Sequence, residues 1–237
     1  MVRLVFESNR IVSLYTIQRK LARTTECHQI SEVVSCIFHS ILFHRTLGKF
    51  HYRQEGRYSI GTIGYEDIDC DFIDLTYVRC ASSALAKTMN HYVSAFDQAI
   101  RDPSNMTENG VRSGQISLEF YNKKKVNWPF AAECLPWEVW TIRIEIKTIR
   151  SEIERQMNRE YLGELVGEKV VLIAEVMNRQ QYLPKIPAQS EVDLIFDTSY
   201  PDIQPYLFRI THSTTSPPST TSVGKTVRRI FRETLAF

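Results

Sequence analysis

Three carboxylates alternate across Asp67-Ile68-Asp69-Cys70-Asp71, which is how a calcium-binding loop begins. The rest of such a loop does not follow. Counted from Asp67, the sixth position is Phe72, where a sharp turn needs glycine, and the twelfth is Val78, where a bidentate carboxylate is needed. His39, His44 and His51 are spaced too irregularly to share one helix face as an HExxH pair does, and they read as surface or half-buried histidines. Gly61 and Gly64 lie inside a strand pattern with no helix opening after them, so they form no phosphate cradle. Cys134, beside Pro136, has no histidine near it in sequence, and a thiol nucleophile there would depend on tertiary proximity. Neither catalysis nor a metal site is expected.

The residue types that can do chemistry here are suited to binding. Asn127-Trp128-Pro129-Phe130 places two large aromatic rings on either side of a proline, directly after Lys123-Lys124-Lys125 and Val126. Proline cannot donate to a strand ladder and biases the residue before it away from helix, so both rings belong to irregular backbone. They either fold back over the core as a plug or project as a finger into a partner, where Trp is a frequent hot-spot residue. The lysines are either a contact for phosphate or acidic groups or simply a solvated face.

Two strand patterns position this loop. Gln115 to Tyr121 alternates polar and apolar, and Trp140, Ile142, Ile144 and Ile146 alternate with Thr141, Arg143, Glu145 and Lys147, which predicts a long hairpin with the aromatics at its tip. Ile30, Val33, Val34, Ile37, Phe38, Ile41 and Leu42 predict a core helix ending near Gly48. Strands are expected over Tyr58 to Gly64 and Cys70 to Arg79. A second helix is expected, capped by Ser82 or Ser83 and burying Leu85, Met89, Tyr92, Val93, Phe96 and Ile100. Pro103 to Gly114 reads as a loop. Ser151-Glu152-Ile153-Glu154 has the form of a capping box opening a third helix that runs to about Gln181. Gly163 and Gly167 fall on one face inside it at a cost of about 1 kcal/mol each relative to alanine, so another element is expected to approach there. Tyr206, Phe208 and Ile210 suggest a further strand, Thr211 to Ser222 a linker without packing residues, and Val227, Ile230, Phe231 and Leu235 a short amphipathic helix.

With 237 residues, 43% hydrophobic and 24% charged, the chain has the composition of a globular protein with a substantial core. Its 29 basic and 27 acidic side chains leave a net charge of only +2, which argues against a dedicated nucleic-acid binder. No apolar run approaches the roughly 20 residues of a transmembrane helix. Cys27, Cys36, Cys70, Cys80 and Cys134 are odd in number and lack CxxC spacing, which fits reduced, buried thiols and a cytosolic or nuclear setting. Residues 1–20, basic but for Glu7 and without a signal-peptide core, are read as a disordered N-terminal extension, and residues 21–237 as one domain.

Longer stretches carry a family resemblance: Leu42 to Tyr52 (LFHRTLGKFHY), Tyr58 to Gly64 (YSIGTIG), Asp67 to Arg79 (DIDCDFIDLTYVR), Ser117 to Phe130 (SLEFYNKKKVNWPF), Glu133 to Thr141 (ECLPWEVWT) and Glu175 to Thr198 (EVMNRQQYLPKIPAQSEVDLIFDT). In this order they resemble the autophagy-related protein 101 family, HORMA-domain subunits of the autophagy-initiation kinase complex. The resemblance spans Leu21 to Phe237 and departs at Pro103 to Ser113 and Thr211 to Ser222. It implies a single HORMA domain of α/β (α+β) class, with helices packed on a mainly antiparallel sheet and a long hairpin carrying the aromatic loop. It also implies a non-enzymatic adaptor without cofactor that pairs with the HORMA domain of autophagy-related protein 13 in the complex of the Unc-51-like kinase. Trp128 and Phe130, flanking Pro129, would be an exposed finger for downstream autophagy factors, in the cytoplasm and at the phagophore assembly site.

A second reading is a HORMA-type peptide-binding signalling module of the checkpoint or meiotic kind, in which the segment from Pro201 onward closes over a ligand. Ile68, between Asp67 and Asp69, is read as an apolar patch with an acidic rim and hence as a candidate heterodimer face, where arginine would weaken pairing without unfolding the chain.

Overall fold

A computed structural model describes residues 3–5, 13–24, 27–54, 57–102, 112–124, 133–146, 151–178 and 183–214, with side chains from Gln29 onward. The elements in chain order are β1 (Arg3–Val5), β2 (Ser13–Thr24), α1 (Cys27–His44), β3 (Thr46–Gly48), β4 (Phe50–Gln54), β5 (Arg57–Ile60), β6 (Tyr65–Asp69) and β7 (Thr76–Cys80). They continue with α2 (Ser83–Arg101), β8 (Arg112–Lys124), β9 (Glu133–Ile146), α3 (Glu152–Met177), a short 3-10 turn at Gln189–Leu194, β10 (Ile203–Pro205) and β11 (Phe208–Ser213). The main sheet has the order β1-β2-β9-β8-β11, antiparallel except between β2 and β9. The backbone of Ser13–Thr24, which the sequence reading largely set apart from the domain, lies beside β9 in this sheet.

The apolar stripe predicted for the first helix is entirely buried in α1, from Ile30 to Leu42. This helix packs against α2, α3 and β7, while Ile116, Leu118, Phe120, Trp140, Ile142 and Ile144 supply the sheet's share of the same core. It stops before the expected Gly48 because Thr46–Gly48 is drawn into a ladder with β10. A side chain at Gly48 would collide with the carbonyl of Gly61, so the two segments can approach only at glycine.

The strand expected over Cys70 to Arg79 begins only at Thr76. The carboxylate of Glu32 on α1 accepts the backbone N–H groups of Asp71 (2.6 Å), Phe72 (2.9 Å) and Ile73 (2.9 Å), which turns this stretch out of any ladder. Likewise β5 ends at Ile60, short of Gly64. The second helix begins as expected, with Ser82 Oγ accepting from Leu85 N–H at 3.4 Å. Ser151 has the extended backbone of a cap, but its side chain makes no capping bond, and Glu152 pairs with Arg155 at 2.7 Å instead. The helix opened there ends at Met177 rather than Gln181. Thr211–Ser213, assigned to a linker by composition, belong to β11, where they pair with Ser117, Ile116 and Gln115 and His212 sets its ring 5.8 Å from that of Phe96.

Candidate functional site

The hairpin is present with the predicted faces. Its register runs from Arg112 opposite Ile146 to Lys124 opposite Glu133, and residues 125–132 join the two strands. Trp128, Pro129 and Phe130 lie outside the described residues, as does Lys125. The stem that carries them is described in full.

Within it, Phe120 faces Glu138 but Tyr121 faces Pro136, so Trp137 is an extra residue in β9. Both Trp137 and Glu138 are therefore buried. Trp137 packs between Phe120 (5.6 Å) and Tyr206 (5.3 Å), with the Arg45 guanidinium 5.8 Å from its ring centre. Arg45 donates to the Glu138 carboxylate from Nε at 3.0 Å and Nη2 at 2.8 Å, and Trp140 Nε1 donates to the same group at 2.5 Å. The Arg45 carbonyl accepts from Tyr206 N–H at 3.0 Å. One buried ion pair thus ties the end of α1 to the hairpin and to the approach to β11. Burial raises the Tyr206 phenol above its usual range, and the neighbouring Arg45 offsets part of that rise. The sequence held a signal for this pair, since Glu138 extends the inward parity of Trp140, Ile142 and Ile144 and places a charge where an apolar residue belongs.

On the opposite side of the stem, Arg209 of β11 meets Glu119 at 2.5 Å and lies 5.8 Å from the Tyr121 ring centre. Burial raises the Glu119 carboxyl and Arg209 opposes the shift. At the loop end, Lys124 reaches Glu133 at 4.0 Å.

The other candidate residues lie on the β6–β7 ribbon. Ile68 is opposite Tyr77, and Asp67 is opposite Val78. Tyr77 is buried and Ile68 packs on the core beside it, so Ile68 points inward and does not form an exposed patch. The outward face carries Asp67 and Asp69 with the exposed Tyr65 and Val78, and Asp69 accepts the Thr76 hydroxyl at 2.6 Å. Alternation along a strand allows Ile68 and its two aspartates to share a segment but not a face.

A further surface escaped the sequence reading. Helix α3 buries Leu162, Leu165, Val166, Ile173 and Val176, yet Ile153, Met157 and Val171 on its outer side are 73%, 65% and 60% exposed, and Tyr161 is exposed beside them. These apolar groups share the outer side with the exposed Glu160, Glu164, Glu168 and Glu175, which makes it a mixed apolar and acidic face of the kind that suits contact with another protein surface. Helix spacing of Ile153, Met157 and Tyr161 was the available signal. The inner side is fixed by Gly163, where an added Cβ would come within 2.5 Å of the Asp74 carbonyl, as the close approach predicted. Gly167 makes only an ordinary contact, 3.7 Å from Leu75. Asn158 donates to Gln29 (3.3 Å), which donates to the Phe72 carbonyl (3.1 Å), linking α3, α1 and the turn before β7.

The groups considered for catalysis are dispersed. His39, read as a surface or half-buried histidine, is fully buried against Tyr77, and burial together with Arg79 lowers its imidazole to about 4. Burial holds the thiols of Cys70 and Cys80 up at about 12 and about 11 and raises Cys36 as well, so they remain protonated, while Cys134 is exposed. Among the described residues no three His, Cys, Asp or Glu side chains converge as a metal site would require. No helix among them is long and apolar enough to cross a membrane.

A family model described as autophagy-related protein 101 matches residues 23–190, a span that contains the hairpin, its loop, the β6–β7 ribbon and α3. The autophagy-related protein 101 of Xenopus tropicalis is 52% identical over 213 residues, 90% of this chain and 95% of that protein. The human protein of that name is 49% identical over the same share of each chain. That of Arabidopsis thaliana is 31% identical over 123 residues, 51% of this chain and 48% of its own. With its hairpin, ribbon and third helix all inside the matched span, this chain belongs to the autophagy-related protein 101 family.

Proposed function

We propose that this chain is a non-enzymatic adaptor of the autophagy-initiation kinase complex. It carries a HORMA domain that pairs with the HORMA domain of autophagy-related protein 13 and stabilises it within the complex of the Unc-51-like kinase. Trp128 and Phe130, held apart by Pro129, serve as a finger for downstream autophagy factors, in the cytoplasm and at the phagophore assembly site. The observation that carries this reading is the family match across residues 23–190, supported by a stem locked through Arg45 and Glu138 from which the loop is presented. We assign the pairing face to the outward residues of the β6–β7 ribbon, Asp67 and Asp69 with Tyr65 and Val78, together with the outer side of α3. Ile68 supports that face from beneath.

The described part of the segment after Pro201, residues 202–214, supports this adaptor over a peptide-capturing belt. Ile203, Tyr206 and Ile210 are buried, Leu207 N–H donates to the Ile195 carbonyl at 2.9 Å, and β11 completes the sheet against β8. Co-purification from cytosolic extract tests the proposal. The full chain is expected to bring down autophagy-related protein 13 together with the kinase. Recovery without it overturns the reading.

A further inference from the structure

The β4–β5 ribbon joins no other sheet among the described residues. Its outer strand, β5, pairs only with β4, so the far edge of β5 offers backbone N–H and C=O groups to solvent. All four residues of that strand are exposed. The register sets Phe50 opposite Ile60 and Tyr52 opposite Tyr58, so these four share one face. Phe50 and Tyr52 lean inward, Phe50 onto Phe196 at 5.1 Å and Tyr52 through a hydrogen bond to the Pro187 carbonyl at 3.1 Å. Tyr58 and Ile60, on the edge strand, remain 40% and 42% exposed. The opposite face carries Arg57 and His51, and Arg53 sits at the register shift between Tyr52 and Gln54. All three are exposed, and no carboxylate among the described residues forms an ion pair with them.

Charged residues on an edge strand guard against unwanted pairing. A guard that is mainly of one sign, here two arginines and a histidine against the single Glu55 in the sequence between the arginines, selects as well as repels: it disfavours basic strands and admits acidic ones. It needs no exposed aromatic on its other face, and this edge has Tyr58. We propose that β5 is a docking edge for an extended acidic segment of a partner protein, which adds as a third strand to the β4–β5 ribbon. Side chains of an added strand alternate between faces. Its apolar residues therefore cover Tyr58 and Ile60, while its carboxylates lie beside Arg57 on the edge strand, with Arg53 and His51 on β4 adding positive charge one strand further in. None of its residues is among those assigned above to the pairing face.

The test uses the full chain and a labelled short peptide of alternating Glu and Val, with binding followed by fluorescence anisotropy. The Glu peptide is expected to bind and to weaken as salt rises. Reversing both charges in the Arg53→Glu, Arg57→Glu variant is expected to weaken it by about tenfold or more, as opposed charges become like charges at the contact. The same peptide N-methylated at alternate residues cannot form the ladder and is expected not to bind, a readout independent of how any variant folds. Equal binding by a Lys–Val peptide, or binding unaffected by N-methylation, overturns strand addition. So does a result in which phosphatidylserine-containing vesicles bind through the two arginines and the Glu peptide does not.

Discussion

Arg45 and Glu138, separated by 93 residues in the chain, form a two-pronged ion pair with both side chains almost wholly buried. Removing one member leaves an unpaired buried charge, which typically costs about 3–5 kcal/mol. Arg45→Met and Glu138→Leu should each lower the chemical-denaturation midpoint strongly. The double variant should be more stable than the sum of the two predicts, because neither charge is stranded. Strictly additive losses would mean that the pair is not a coupled unit.

The aromatic loop should separate stability from recruitment. Trp128→Ala with Phe130→Ala is expected to leave the melting temperature and the pairing with autophagy-related protein 13 near wild type. Recruitment of later factors should fall by about 2 kcal/mol or more per aromatic. A large drop in melting temperature, or loss of the heterodimer, would identify the rings as a core plug instead.

On the β6–β7 ribbon, neighbouring positions should behave differently. Ile68→Arg forces a charge toward Tyr77 and should destabilise the fold by about 1–3 kcal/mol. Val78→Arg, on the outward face, should preserve the fold and weaken the heterodimer. Calorimetry of both variants, paired with an affinity measurement, checks this. Unchanged affinity for Val78→Arg removes the outward face from the interface.

The two glycines of α3 provide a matched comparison. Gly163→Ala must displace the Asp74 backbone and is expected to cost about 1–3 kcal/mol. Gly167→Ala meets only Leu75 at van der Waals distance, and should stabilise the helix by up to about 1 kcal/mol. Urea titrations of the two should shift in opposite directions.

His39 gives the fold an acid-sensitive component. Its native pKa of about 4 lies below the ordinary 6.5, so between these values the unfolded chain binds a proton that the folded chain refuses. The associated stability is fully present above about pH 6.5 and lost as pH falls toward 4, amounting to about 3 kcal/mol from the size of the shift. His39→Gln should flatten that window in pH-dependent denaturation. An unchanged slope would assign the acid sensitivity to other groups, such as His44, whose imidazole is also lowered by burial and by Arg45.

What the sequence determined by itself were the features written in local periodicity. The 3.6-residue stripe from Ile30 to Leu42, the alternation through Ile116 and Ile142, and the serine before α2 each specify structure within a few residues, and each is realised. The long stretches shared with the autophagy-related protein 101 family were legible for the same reason, since order along the chain is enough to recognise them. Tertiary structure decided what depends on residues distant in the chain. Glu32 delays the start of the strand expected over Cys70 to Arg79 by taking three N–H groups about forty positions away. Thr46 leaves the first helix for a partner near Gln204. Ile68 was read as exposed because its neighbours are aspartates, but which face of a strand is buried depends on what packs beneath it, and here that is Tyr77 in the core under α1. The spacing of Ile153, Met157 and Tyr161 on α3 is local, but that this stripe is exposed, and that β5 pairs with nothing but β4 among the described residues, are defined only once everything else has been placed.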